Sequence, residues 1–231
     1  MEKKKKVKLI DIFLLIFGMF KIVLKPSDIS PIFRGRSFRN HKSMKQTLES
    51  VQAVPEIAEL IRTRYLSPKP FDLEELLNLP ENSLGRTFAE HMKKNNLKVV
   101  FYPSLEDKED DDISYLRKRA RQTHDIHHVV LGYPAIDIGE MAISAFYLAQ
   151  HRVPLSCMLI GVGFFIATFK QPHRIDELME AIIMGWTMGK RAKPVMGIKW
   201  EELFHLPISE VRKIVNIEVQ EEAFSKIGVA A

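Results

Sequence analysis

Cysteine is nearly absent from this chain: Cys157 is the only one in 231 residues. That excludes an intramolecular disulfide framework and any cysteine-based zinc finger. It also points to a reducing compartment, cytosolic or matrix-facing. Strand signals are almost as scarce, with Leu97–Tyr102 the only short candidate. Internal repeats are lacking, and the one biased tract, Glu106–Asp112, reads as a solvated acidic loop. Near the start, the nine apolar residues Ile12–Phe20 make only about 13 Å of helix against a hydrocarbon core of about 30 Å, too short to span it. What remains is 46% hydrophobic and 27% charged, ordinary for a globular protein and long enough to bury a full core. Disordered, collagen-like and polytopic membrane classes are excluded.

Charge is distributed unevenly. Lys and Arg number 34 against 29 Asp and Glu, a net +5. Residues 1–45 hold 12 of the basic residues against Glu2, Asp11 and Asp28, a local +9, and the remaining 22 against 26 give −4. The body is therefore not a nucleic-acid surface. Residues 1–25 form a basic and apolar N-terminal segment, with Lys3–Lys6 and Lys8 before the apolar run and Lys21 and Lys25 after it. Lysines stand where a signal-peptide cleavage site would need small residues, so that reading fits poorly. Two others stay open: a core helix with a solvated lysine tail, or an interfacial segment whose Phe/Leu/Ile face dips into a membrane surface. Beyond a Pro-containing linker, Arg34, Arg36, Arg39, His41, Lys42 and Lys45 form a second basic patch, either a phosphate site or a solvated face.

Residues 26–231 read as one helical domain. Helical periodicity runs through 43–65, 71–78, 82–95, 113–131, 138–151, 155–169, 174–190 and 208–216. The expected fold is therefore all-α, a single domain of about eight helices, with Asn82 capping the third. Pro154–Phe169 carries no charged residue, and a helix apolar on every side calls for burial on every side. It reads as a central core helix, or as the wall of an apolar lipid-binding cavity where Gly161 and Gly163 let a lipid tail approach the backbone. Gly185 and Gly189, four apart, would allow similarly close packing.

Chemistry concentrates in His124-Asp125-Ile126-His127-His128. On a helix His124 and His128 share one face about 6 Å apart, a two-point grip on a metal. Asp125, about 100° round, can join the edge of that site or orient a histidine. Gly132 and Pro134 break the helix, so the next one can fold back and bring Glu140 opposite the pair. Such a nitrogen and oxygen set suits zinc or iron(II), with magnesium or manganese if carboxylates lead. Two bland readings compete: Asp137-x-x-Glu140 as a capping box, and the histidines as a solvated face.

The arrangement His124-Asp125-x-x-His128, followed after eleven residues by Glu140, resembles the metal motif of the coenzyme Q (ubiquinone) biosynthesis protein 4 family. The segment Asp72–Gly85 is similar to that family's L-P-x-x-T-L-G stretch. Tyr115, Arg119, Arg121, Gly132, Pro134 and Gly139 match its spacing, and Ile183–Gly189 and Trp200–Val211 are similar too. Coverage is roughly residues 46–217. The chain departs from the family at His127, where a Trp is usual, at Gln122 for Glu, and at Ser83 and Phe88 for Thr and Tyr.

The resemblance implies an all-helical, peripherally membrane-associated protein of isoprenoid-quinone synthesis. It implies His124, Asp125, His128 and Glu140 as ligands and catalytic residues, with a role in removing the C1 carboxylate of a polyprenyl hydroxybenzoate. On that reading the chain is a metal-dependent carboxy-lyase, zinc being the first expectation for the metal. Arg121 or Arg119 would contact a head-group anion. Implied partners are a prenylated lipid or prenyl phosphate, quinone-synthesis enzymes, a membrane surface and a second copy in a homodimer. The implied location is cytoplasmic, on the inner face of a membrane, or the matrix side of the mitochondrial inner membrane in a eukaryote. A non-catalytic prenyl-lipid carrier or scaffold is the alternative, and a His/Asp phosphohydrolase a third class.

Overall fold

Prolines and glycines set where the helices break. The structure, a computed structural model, describes residues 41–99, 101 and 110–219. The N-terminal segment 1–25 and the arginines at 34, 36 and 39 lie outside the described residues. The expected helix 43–65 is two helices, α1 (Lys42–Gln52) and α2 (Pro55–Thr63). Pro55 has no amide to donate and holds Val54 extended at φ −97°, ψ 116°, so the helix must restart there. Next come α3 (Leu73–Leu77) and α4 (Leu84–Lys94). Ser83, one residue later than expected, caps α4 by accepting from the Arg86 amide, while Asn82 takes a left-handed φ of 61°. The remainder is α5 (Asp112–Leu131), α6 (Asp137–His151), α7 (Pro154–Phe169), α8 (Ile175–Arg191) and α9 (Ile208–Ile214). Residues 97–99 and 101 are irregular, and no strand is present among the described residues.

The core is built where α4, α5, α6 and α8 meet. Phe88 and Met92, Ile126 and Val130, Ala142 and Phe146, and Ala181 are at most 1% exposed. Each of the larger side chains contributes on the order of 2 kcal/mol by leaving water. Helices α6 and α8 approach closely because Gly185 faces the Ala142 carbonyl: a β-carbon there would lie 1.9 Å from that oxygen. A satellite cluster of Val51, Ile57, Leu60, Ile61 and Tyr115 seats α1 and α2 against α5.

Helix α7 corrects the expectation of burial on every side. Ile160, Val162 and Ala167 are buried, yet Phe164, Phe165 and Phe169 are 37, 45 and 70% exposed. Cys157 and Gly161 are also exposed, and a β-carbon at Gly161 would meet nothing within 4 Å. With α6 and α8 already packed on each other, α7 lies along one side of the pair, touching it where Gly163 faces Met141 and Leu178. Its outer face is open rather than wrapped around a tunnel. Among the described residues no helix is long and apolar enough to cross a membrane.

Candidate metal centre

Helix α5 carries His124 and His128 one turn apart, and the turn after it returns a carboxylate to them. α5 ends at Gly132, whose φ of 73° is left-handed and cheap only for glycine. A β-carbon at Gly139 would sit 1.9 Å from the Pro134 carbonyl oxygen, so the tightness of this turn depends on a bare α-carbon there. The expected capping box does not form. Ile136 is the N-cap without a side-chain bond, and Asp137 instead accepts from the Ile138 amide and from Arg174 at 2.7 Å. Glu140 is thus released from a capping role, and its carboxylate faces the histidines.

The three ligand atoms form a triangle. His128 Nε2 lies 3.0 Å from Glu140 Oε1 and 3.3 Å from His124 Nε2, and His124 Nε2 lies 3.4 Å from Glu140 Oε1. Atoms about 2.1 Å from one shared ion would be about 3.0–3.4 Å apart in octahedral or tetrahedral coordination, so the edges fit. His128 Nδ1–H donates to the Tyr133 carbonyl at 3.0 Å, so the neutral ring presents a lone pair at Nε2. Lone pairs on two imidazoles converging on a carboxylate need a cation among them, whether a proton or a metal.

The electrostatics agree. Burial works to raise the Glu140 pKa, but hydrogen bonds and charge from His124 and His128 reverse it and hold the carboxyl well below its usual range. Burial likewise works to lower His124, and Glu140, with a further push from Asp125, carries it above the ordinary value. Half-buried Asp125 is not one of the three converging atoms; it acts on the site through its charge.

His127 faces elsewhere. It is fully buried, its Nδ1 is 2.5 Å from the Tyr147 hydroxyl, and its ring meets Trp200 edge-on at 5.4 Å. Burial, with the neighbouring cations, lowers its pKa well below normal and keeps it neutral. Arg119 also departs from expectation. Its guanidinium is 1% exposed, bound twice to Glu201 at 2.6 and 3.2 Å and to the Ile198 carbonyl at 2.7 Å. Those contacts commit it to a structural ion pair rather than a head-group anion. Arg121 is half-buried on the same helix.

Two neighbours of the triangle escaped the sequence reading. His91 of α4 stacks on His128 at 6.1 Å, and Tyr147 of α6 lies 6.5 Å from His124. Both were detectable in principle: Tyr147 is seven residues beyond Glu140, and His91 seven beyond buried Leu84, each two turns along one face. A hollow of about 340 Å³ is lined in part by Leu131, Tyr133, Ile183, Met184, Met188 and Val219. It shares Tyr133 with the triangle's support but contains none of the three ligands.

A family model described as coenzyme Q (ubiquinone) biosynthesis protein Coq4 matches residues 18–221. The ubiquinone biosynthesis protein COQ4, mitochondrial, of Yarrowia lipolytica is 29% identical over 155 residues, 66% of this chain and 58% of that protein. Its counterpart in Eremothecium gossypii is 30% identical over 156 residues, 67% of this chain and 47% of that protein. The COQ4 homolog, mitochondrial, of Aedes aegypti is 29% identical over 154 residues, 67% of this chain and 56% of that protein. The chain thus spans about half the length of these curated relatives. A crystal structure of a protein assigned to ubiquinone biosynthesis in Nostoc punctiforme PCC 73102 superposes with a TM-score of 0.75 at 30% identity, covering 88% of this chain and 96% of that one.

Proposed function

The chain belongs to the coenzyme Q (ubiquinone) biosynthesis protein Coq4 family, and on that premise we propose that it holds a divalent metal against the head group of a prenylated hydroxybenzoate. His124, His128 and Glu140 are the ligands, with Asp125 close enough in charge to complete the set. The triangle of donor atoms at 3.0–3.4 Å is the observation that carries this reading. Two nitrogens and an oxygen suit zinc first, then iron(II), with magnesium or manganese favoured if Asp125 joins. When bound, the metal supplies a Lewis acid for the charge left on the ring as the bond between C1 and its carboxylate breaks. Carbon dioxide leaves, and C1 takes up a proton. Replacing the carboxylate by hydroxyl would require an oxidant from a redox metal or a second enzyme.

The chain's own groups have narrower tasks. Tyr133 orients His128 through its carbonyl. Tyr147, whose pKa is raised by burial and by the charges of Glu140 and Asp125, stays a neutral phenol beside His124. Arg121 is the cation proposed for the head-group anion. The hollow beside Tyr133 is where an apolar tail would start, since about 300–1,000 Å³ is usual for ligand sites. A prenylated substrate has to come from a bilayer, so the protein works peripherally on the inner face of a membrane, with residues 1–25 as its contact. The relatives named mitochondrial support a matrix-side location in a eukaryote, alongside other quinone-synthesis enzymes.

The test is release of carbon dioxide from a carboxylate-labelled prenyl hydroxybenzoate, with protein loaded in turn with each metal. Release that chelation and His124→Ala abolish is expected. Substrate bound and returned unchanged would make the protein a prenyl-lipid carrier or scaffold instead. Hydrolysis of a prenyl phosphate would assign a phosphohydrolase.

A further inference from the structure

Around His127 the interior holds more hydrogen-bonding atoms than it pairs. Among the described residues, His127 Nε2, Trp200 Nε1 and Arg119 Nε are buried and unbonded. They belong to one neighbourhood. Arg119 and His127 stand eight residues apart on α5, and the His127 and Trp200 rings are 5.4 Å apart. The Arg119 charge acts on His127, and Glu201, which binds Arg119, follows Trp200 in the chain.

Two of these atoms have no choice of role, because an indole nitrogen and an arginine Nε only donate. A hydrogen on His127 Nε2 would add a third stranded donor, and a buried donor without an acceptor forfeits its hydration. A lone pair at Nε2 instead gives both neighbours an acceptor. The ring, kept neutral by burial and the cations around it, then carries its hydrogen on Nδ1. That tautomer sets the direction of the next bond. Nδ1 lies 2.5 Å from the Tyr147 hydroxyl, so the imidazole donates and the phenol oxygen accepts. The phenol keeps its own hydrogen for another acceptor.

Tyr147 stands at the edge of the metal centre. It is seven residues beyond Glu140 on α6, and its ring is 6.5 Å from that of His124. It is only half-buried, so a ligand at the centre can reach it. Burial and the charges of Glu140 and Asp125 keep it a phenol, able to donate a hydrogen bond without losing its proton.

We infer that Tyr147 is the hydrogen-bond donor to an anionic oxygen of the head group held at the metal centre, and that His127, backed by Trp200, positions its hydroxyl for that role. The inference rests on the proposed metal-dependent function and adds to it the group that reads the substrate's head. It also gives a task to His127, where the family usually has Trp. An indole, with a donor and no acceptor, could not serve neighbours on both sides.

The test uses the full chain loaded with zinc, and 3-prenyl-4-hydroxybenzoate as the probe. Tyr147→Phe should keep its zinc yet bind the probe about tenfold more weakly, the loss of one hydrogen bond to a charged group. His127→Leu should weaken binding as much, and adding it to Tyr147→Phe should weaken it no further, since both remove one arrangement. His127→Asn, whose amide places an N–H where Nδ1 stood, should retain most of the affinity. Circular dichroism checks that each variant is folded. Nitrogen NMR of the parent's histidine rings, recorded without metal, should show His127 protonated at Nδ1. An Nε2–H tautomer would overturn the inference, as would losses from the two variants that simply add. Unchanged probe binding in zinc-loaded Tyr147→Phe would refute this inference alone, whereas a parent that takes up no zinc or no probe would refute the metal reading and this inference with it.

Discussion

Removing Glu201 should destabilise the protein more than removing Arg119, although the two belong to one ion pair. The guanidinium is 1% exposed and the carboxylate 17%. Glu201→Met, which removes both acceptor oxygens, leaves a dry cation with one carbonyl partner, Ile198, and an Nε that already lacks a bond. Breaking a buried pair from one side costs about 3–5 kcal/mol, and this case belongs at the upper end. Arg119→Met leaves a carboxylate with some access to water, while methionine refills much of the lost volume, so about 2–3 kcal/mol is expected. In a chain of this size each kcal/mol lowers Tm by about 2–4 °C, so both losses are well above error. The double variant should cost at least about 1 kcal/mol less than the two singles added, because neither charge is then stranded. Urea unfolding followed by both circular dichroism and tryptophan fluorescence measures this, since Trp200 is buried next to Glu201. Metal content should not change. Losses below about 1 kcal/mol in both singles would refute the reasoning and return Arg119 to the list of anion-binding residues.

His124→Ala and His128→Ala should each empty the metal site while the helical spectrum survives; full metal occupancy in either by elemental analysis would end the assignment. His127→Ala should keep the metal yet lose about 2–4 kcal/mol, because a fully buried ring and its bond to Tyr147 go together. The metal-free protein should be most stable between about pH 5 and 6. Glu140 titrates below its ordinary 4.5, so its contribution is complete above that value and lost as pH falls through the folded pKa. His124 titrates above its ordinary 6.5, so its contribution is complete below that value and lost as pH rises through the folded one. A melting profile in chelator that is the same for Glu140→Gln and the parent would contradict this. Gly185→Ala should lower stability by about 1–3 kcal/mol or more, since its methyl meets the Ala142 carbonyl rather than a side chain able to move; an unchanged melting temperature would contradict the packing.

Most of what sequence could reveal here was periodic or covalent. The helices from 113 onward are found within a residue or two of their expected bounds, because each ends at a glycine, a proline or a change of apolar stripe. Pro55 was equally visible, and its break in 43–65 follows from its chemistry alone. The His124, His128 and Glu140 set followed from a helix period and a turn between two helices. Less was legible where tertiary packing chose among equals. Nothing in Pro154–Phe169 distinguishes a helix surrounded by protein from one covered on a single side. Likewise, Arg119 and Arg121 stand two apart on one helix, and only the position of Glu201, 82 residues away, commits the first to the interior.

The turn at Gly132–Gly139 has a consequence for how the protein comes to exist. His124, His128 and Glu140 lie within sixteen residues of one another, whereas Arg119 reaches 82 residues to find Glu201. Closing the shorter loop requires little chain entropy, so the helical hairpin of α5 and α6 can form before the distant contacts do. A metal arriving early would then bind a partly folded chain and stabilise the folding nucleus as well as the finished structure. Refolding should accelerate with metal present at refolding, and substitutions in this hairpin should slow folding more than they hasten unfolding. Order of assembly, on this view, is set by a turn of a few residues.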